Sequence, residues 1–323
     1  MNNTARYLLA GMLIFLIIIL QPIYLKWLGY DSGDGDVYNE SVKPSTEKPV
    51  PSDTALNKGG FSPAGIKNPL DALSAESFIT ISTPLYTATL SNRAGGSFIN
   101  YIINDDSSDK QKYKGGYDDD GYFNPDLPVS LIMPLGSGCL PCLASYDERV
   151  GQYMYFNQPF DLLTSPLSDT LFVGPDDRLE LVYKMFNGDN ELIAKTVVFS
   201  GNSYVSRHDF SFDNNGLDVP GNIELVWDTG LRPAEERADE DVQYGTGIIS
   251  QAGELDDIQM KGPNENIDRR VYNGQTEWVA IRTKYFISAL LVDVPGSFAM
   301  LSAKNASFGN REHTPAYSAG VGY

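Results

Sequence analysis

The sequence predicts a mainly β fold, one large sandwich of two sheets, held behind a single apolar N-terminal helix. Three observations predict it. Beyond Ser77 the chain breaks into short runs of alternating apolar and polar residues, separated by clusters of Gly, Asn, Asp and Pro, a pattern of strands and turns. Between Tyr7 and Leu28 only Gln21, Pro22 and Lys26 interrupt an apolar run. Finally, 42 acidic against 24 basic residues give a net charge of −18, which repels nucleic-acid phosphates and excludes a nucleic-acid partner.

The apolar run is taken first. A helix of about 20 residues crosses the hydrocarbon core of a bilayer. The stretch after Leu20, QPIYLKWLGYD, offers no small-x-small cleavage site, so residues 1–28 are read as an uncleaved transmembrane signal anchor. Arg6 and the α-amino group precede it with no acid among them. The positive-inside rule then keeps the N-terminus in the cytoplasm and sends the rest across the membrane. Residues 29–76 are rich in Pro, Gly, Ser and charge and lack apolar periodicity, the composition of a flexible tether. Asp31, Asp34 and Asp36 fall in it without the spacing of a calcium loop.

Residues 77–323 form the predicted β domain. Ile79 and Ile81 alternate with Thr80, and Tyr86, Ala88 and Leu90 alternate with polar neighbours. LELVYKMF and ELIAKTVVF flank NGDN, where Asn187 and Gly188 suit a tight hairpin. A second hairpin-like return is expected at DNNGLDVPGN, before IELVWDTGL. Tyr204, His208, Phe210 and Phe212 are assigned to one strand face and Trp227 to the face of Ile223 and Leu225, most of them as inter-sheet core. The ending HTPAYSAGVGY reads as a loosely ordered or truncated tail.

Four stretches carry a family resemblance. They are ITISTPLYTATLSNRAGGSFINYII with Arg93, Gly95 and Gly96; LIAKTVVFSGNSYVSRHDFSFDN; IELVWDTGLRPAEERADEDVQYG with Trp227, Gly230, Leu231 and Glu235; and QTEWVAIRTKYFISALL with Trp278, Lys284, Tyr285 and Phe286. In pattern and order this resembles the periplasmic part of YidC-type membrane protein insertases, from the first helix to about Leu291. The resemblance implies a β-supersandwich of galactose mutarotase-like form in the periplasm, anchored in the inner membrane. It implies insertion and folding of nascent membrane proteins, alone or with the Sec translocon and its accessory subunits. The bilayer is met through the N-terminal helix, and neither a cofactor nor catalysis is implied. In the family a bundle of later membrane helices does the insertion. This sequence reaches Tyr323 before any such segment.

Cys139 and Cys142, in GCLPCL, depart from the family pattern. In an oxidising compartment two cysteines this close suit a local disulfide, with free thiols or a redox or metal role as alternatives. His208 and His313 lack ligand spacing for zinc. An enzyme or carbohydrate-binding module is the competing class, since mutarotases use a His acid and a carboxylate base. His208 is the one candidate among the strands. The acids of DDDGYFNPD, Asp118 to Asp126, read as a solvated loop tip, with calcium or sugar as the alternative.

Overall fold

The computed structural model describes residues 75–105, 108–133, 135, 137–164, 168–187, 190–212, 219–262 and 264–323. All belong to the unit Gly59–Tyr323. The predicted signal anchor and residues 29–74 of the predicted tether lie outside the described residues, as does Gly188. No helix among the described residues is long and apolar enough to cross a membrane.

In chain order the strands are β1 (Phe78–Ser82), β2 (Tyr86–Ser91), β3 (Ser97–Asp105), β4 (Ser108–Gln111), β5 (Lys114–Tyr117), β6 (Phe123–Pro128), β7 (Cys142–Asp147), β8 (Gln152–Tyr155), β9 (Asp161–Leu162) and β10 (Thr170–Phe172). There follow β11 (Arg178–Asn187), β12 (Asn190–Ser200), β13 (Arg207–Phe212), β14 (Ile223–Trp227), the short helix α1 (Ala238–Tyr244), β15 (Thr246–Gln251), β16 (Glu254–Ile258), β17 (Ile267–Arg282), β18 (Ile287–Phe308) and β19 (Arg311–Gly322). The fold is mainly β. An eight-stranded sheet runs β16-β15-β17-β18-β19-β14-β7-β8. A five-stranded sheet runs β10-β1-β2-β3-β4, a four-stranded one β13-β12-β11-β9, and β5 pairs with β6.

Alternation builds the core. Ile79, Ile81, Tyr86, Ala88 and Leu90 are buried while the residues between them are half-buried. They join Leu181, Phe199, Trp227, Val279 and Leu301 in one cluster that draws on the three larger sheets. The Phe98 ring meets Phe199 edge-on at 6.3 Å and Trp227 at the same centroid distance. Such offset and edge-on arrangements are how aromatic rings fill a sandwich interior. Ile223 and Leu225 pack against the same cluster as Trp227, on the face expected of them. The first hairpin also forms, with Asn187 paired to Asn190.

Three expectations change. The strands on either side of DNNGLDVPGN do not pair with each other: β13 pairs β12, whereas β14 pairs β7 and β19. That segment therefore links two sheets, which turn residues alone cannot distinguish from a hairpin. Tyr204 precedes β13 and is exposed, whereas His208, Phe210 and Phe212 share its half-buried face. The ending is no loose tail. β19 lies between β18 and β14, almost wholly buried. Its Gly320 and Gly322 permit this, because a Cβ at Gly322 would meet the Phe298 ring at 2.0 Å.

The turn between β2 and β3 needs its glycines for two reasons. Gly95 and Gly96 have φ of +65° and +89°, values that favour glycine. A Cβ on Gly96 would also stand 2.9 Å from the Tyr183 ring. Gly96→Ala should lower unfolding stability by roughly 2–4 kcal/mol, adding left-handed strain to overpacking. Urea unfolding with an unchanged midpoint would contradict this.

Candidate protein-binding face

QTEWVAIRTKYFISALL forms the end of β17, a tight turn and the start of β18. The turn is closed by Thr283 N–H donating to the Phe286 carbonyl at 2.8 Å. Register fixes the two faces. Val279 and Ile281 point into the core. On the opposite face one row crosses four strands, Leu255–Ser250–Trp278–Leu291. The next rows are Asp257–Ile248–Ala280–Ala289 and Thr246–Arg282–Ile287. Leu255, Leu291 and Ile287 are 66%, 69% and 58% exposed. Trp278 and Ile248 are half-buried and stand outside the buried core clusters. The result is an apolar patch facing solvent, with Glu277 and Asp257 among its acids. Contiguous exposed apolar surface of this kind marks interaction sites.

A clamp of charges holds this hairpin. Lys284 Nζ lies 2.5 Å from Glu240 Oε2 and 3.3 Å from Glu235 Oε1, and over the rings of Tyr285 and Tyr244. Its carboxylate partners hold the ammonium above the usual lysine range. Phe286 meets Tyr113 edge-on at 5.4 Å, whereas Tyr285 is exposed. The same part of α1 is also held by Arg311, which bonds the Asp241 carboxylate and the Glu235 carbonyl. Burial raises the Asp241 carboxyl to about 6 against the opposing pull of Arg311. Gly230 runs close to β19, and Leu231 is buried and bridged to Ile132. The two stretches IELVWDTGLRPAEERADEDVQYG and QTEWVAIRTKYFISALL thus meet through Lys284.

The comparisons with known proteins bear on these same residues. A family model described as the YidC periplasmic domain matches residues 168–321, from just before β10 into the end of β19. Over those residues the chain is similar to the YidC periplasmic domain. It is 26% identical over 260 residues to the membrane protein insertase YidC of Prosthecochloris aestuarii, covering 78% of this chain and 39% of that protein. It is 25% identical to that of Chloroherpeton thalassium, covering 79% and 39%, and 23% identical to that of Pelobacter propionicus, covering 94% and 51%. The chain spans about two fifths of the length of the first of these relatives. No solved structure matches. The family match continues to residue 321 rather than fading after Leu291, because β19 is an interior strand of the main sheet.

A buried lysine joins two turns of the domain. Lys195 of β12 is fully buried, and its Nζ donates to the carbonyls of Pro141 at 2.9 Å, Ala94 at 3.1 Å and Gly96 at 3.5 Å. Burial alone pulls its pKa down to about 7, while three carbonyl acceptors suit an ammonium with three protons. One side of this junction is the turn of Gly95 and Gly96. Arg93 points outward from that turn to Glu76 at 3.0 Å. On the other side lies the loop of Cys139 and Cys142, which are joined in a buried disulfide. Nothing in the sequence marks Lys195, which sits in an ordinary strand pattern.

The alternatives raised by the sequence find little support in this domain. His208 is half-buried beside Phe98, its Nε2 2.9 Å from Ser206 Oγ. Burial and the nearby Lys195 charge push it well below the usual imidazole range. No carboxylate is bonded to it among the described residues. His313 bonds Asn305. In the acidic loop Asp119 is paired with Arg232 and Asp118 caps its own turn. No cluster of metal-ligating residues occurs among the described residues. A cleft of about 370 Å³ lies beside Tyr146, Arg149, Glu224, Arg269 and Phe298. Its charged wall is internally satisfied: Arg269 bonds Glu224 and Tyr153 at 2.6 and 2.9 Å and stacks on Tyr146.

Two outcomes follow from the Lys195 junction. Between pH 7 and about 10.5 the unfolded lysine holds a proton that the buried one releases, so stability should rise with pH through that window. Unfolding midpoints of the wild type and Lys195→Met across this range should diverge in slope; parallel profiles would refute a depressed Lys195. Both sulfurs are shielded, so alkylation after mild reductant should label neither cysteine until denaturant is added. Full labelling of the native protein without reductant would show free thiols.

Proposed function

We propose that this chain is the anchored periplasmic part of a membrane protein insertase, and that its domain contacts proteins rather than performing chemistry. The family match and the insertase names of its relatives support that reading. On it, the domain is a β-supersandwich of galactose mutarotase-like form. The first helix crosses the inner membrane with its N-terminus in the cytoplasm, and the tether of residues 29–76 gives the domain reach. The whole protein inserts and folds inner-membrane proteins, alone or beside the Sec translocon and its accessory subunits.

The observation that carries the protein-binding role is the solvent-facing row of Leu255, Trp278 and Leu291, with Ile248 and Ile287 beside it. An apolar surface that is held rigid by a core on its far side suits transient contact with apolar polypeptide. Catalysis lacks comparable support, since the half-buried His208 has no acid partner among the described residues.

A photo-reactive amino acid placed at Trp278 or Leu291 tests the role in cells. It should crosslink newly made membrane proteins or Sec subunits, and the same probe at exposed Val150, far along the chain, should not. Equal labelling from both positions would sink the reading.

A further inference from the structure

The chain enters the β domain through a bond to a side chain. Phe78 pairs with Ser91, which sets Ser77, one step before β1, opposite Asn92, one step after β2. One ladder bond forms there in the ordinary way, with the Asn92 N–H donating to the Ser77 carbonyl at 2.9 Å. The return bond does not. The Asn92 carbonyl turns away and accepts from the N–H groups of Phe160 and Gly95 at 3.0 and 3.1 Å. Its side-chain Oδ1 takes the vacated place, accepting from the Ser77 N–H at 2.9 Å. The Nδ2 of the same amide donates to the carbonyls of Ala75 at 3.2 Å and Phe160 at 3.0 Å. Asn92 is buried, so alanine there would leave these groups without a partner and aspartate would lack the donors. Glu76 is held beside it by the Ser91 hydroxyl at 2.7 Å and by Arg93 Nε at 3.0 Å.

Among the described residues these are the bonds that hold residues 75–77. Ala75, Glu76, Ser77 and Phe78 are all exposed, and Ile79 is the first buried residue of the strand. A segment without buried apolar side chains opens more readily than the core it leads into. Its partner is firmly held. The turn after Asn92 is tied to the Phe160 segment by the bridge of Arg93 to Pro159 and by the Ala94 N–H on the Gln158 carbonyl. Lys195 fixes the same turn to β12. A polar, exposed segment thus lies on a rigid block.

We propose that Ala75–Ser77 is a releasable strap and that Asn92 is its clasp, deciding whether the tether ends at Ala75 or runs on to Phe78. Release would free three residues, about 10 Å of extended chain, while β1 stays paired to β2. The clasp belongs to this domain alone; only the use of the extra reach rests on the anchored reading.

Amide hydrogen exchange on the full chain in lipid nanodiscs tests it. In the wild type the Ser77 amide should be protected, but less than those of Ile81 and Leu90 within the ladder. Asn92→Ala and Asn92→Asp should each speed Ser77 exchange by roughly tenfold or more. Arg93→Gln removes an exposed bond and leaves the buried turn intact, so it should speed Ser77 about threefold, the scale of one surface ion pair, with Ile81 and Leu90 unchanged. A spin label at Ala75 should gain a mobile component in the same variants. A wild-type Ser77 exchanging like an unstructured amide would mean there is no clasp. Ile81 accelerating in step with Ser77 in Arg93→Gln would mean that strap and strand open as one. Either result overturns the proposal and leaves crosslinking from Trp278 untouched.

Discussion

Lys195 is the constraint on which the front of the domain depends. It carries an ammonium into the space between β12, the turn before β3 and the disulfide loop, and spends its protons on three main-chain carbonyls. Those carbonyls belong to segments with no ladder partner at these atoms, so the lysine replaces a missing strand. The glycines of the turn are a consequence: a Cβ at Gly95 would press on the Lys195 stem at 3.1 Å and on Phe160 at 2.9 Å. The disulfide closes the opposite wall over a span of three residues. A loop that short restricts the unfolded chain little, and its main effect is to hold the Pro141 carbonyl in place.

Much of the fold could be read from the chain because alternation and burial coincide. In β1 and β2 every second residue faces the core, as their apolar spacing indicates, whereas β14 is covered on both sides, Glu224 and Val226 being more deeply buried than Ile223 and Leu225. The ending of the chain could not be read in this way. Half of β19 is Ser, Ala, Gly and Thr, and its larger residues show no apolar alternation, yet close packing against Phe298 and Val226 helps bury nearly all of it. Lys195 escaped notice for the opposite reason, since its position in the alternation is inward but its residue type argues outward. The link between β13 and β14 was ambiguous because Asn, Gly and Pro direct a turn without saying which sheet the next strand joins.

The candidate face was legible as a motif and illegible as a surface. Trp278, Lys284, Tyr285 and Phe286 all stand in one short stretch, but they do three different things. Trp278 faces solvent, Lys284 pins α1 through Glu235 and Glu240, and Phe286 packs on Tyr113. The outward position of Trp278 is set by a bulge in the pairing between Thr276 and Trp278. A bulge shifts the phase of a strand by one residue, and no amino-acid pattern in QTEW announces it.

The acidity of the chain has a colloidal consequence. An exposed apolar patch such as that around Trp278 invites identical molecules to stick to one another, since each copy offers the same surface. At −18 per chain, like molecules meet a repulsive barrier that acts over roughly a Debye length, about 8 Å at physiological ionic strength. Self-association is thereby slowed while an oppositely charged visitor is drawn in, so the surface sorts unlike from like before any side chain touches. Concentrated salt would erase that sorting, leaving only the shape of the patch to decide what settles there.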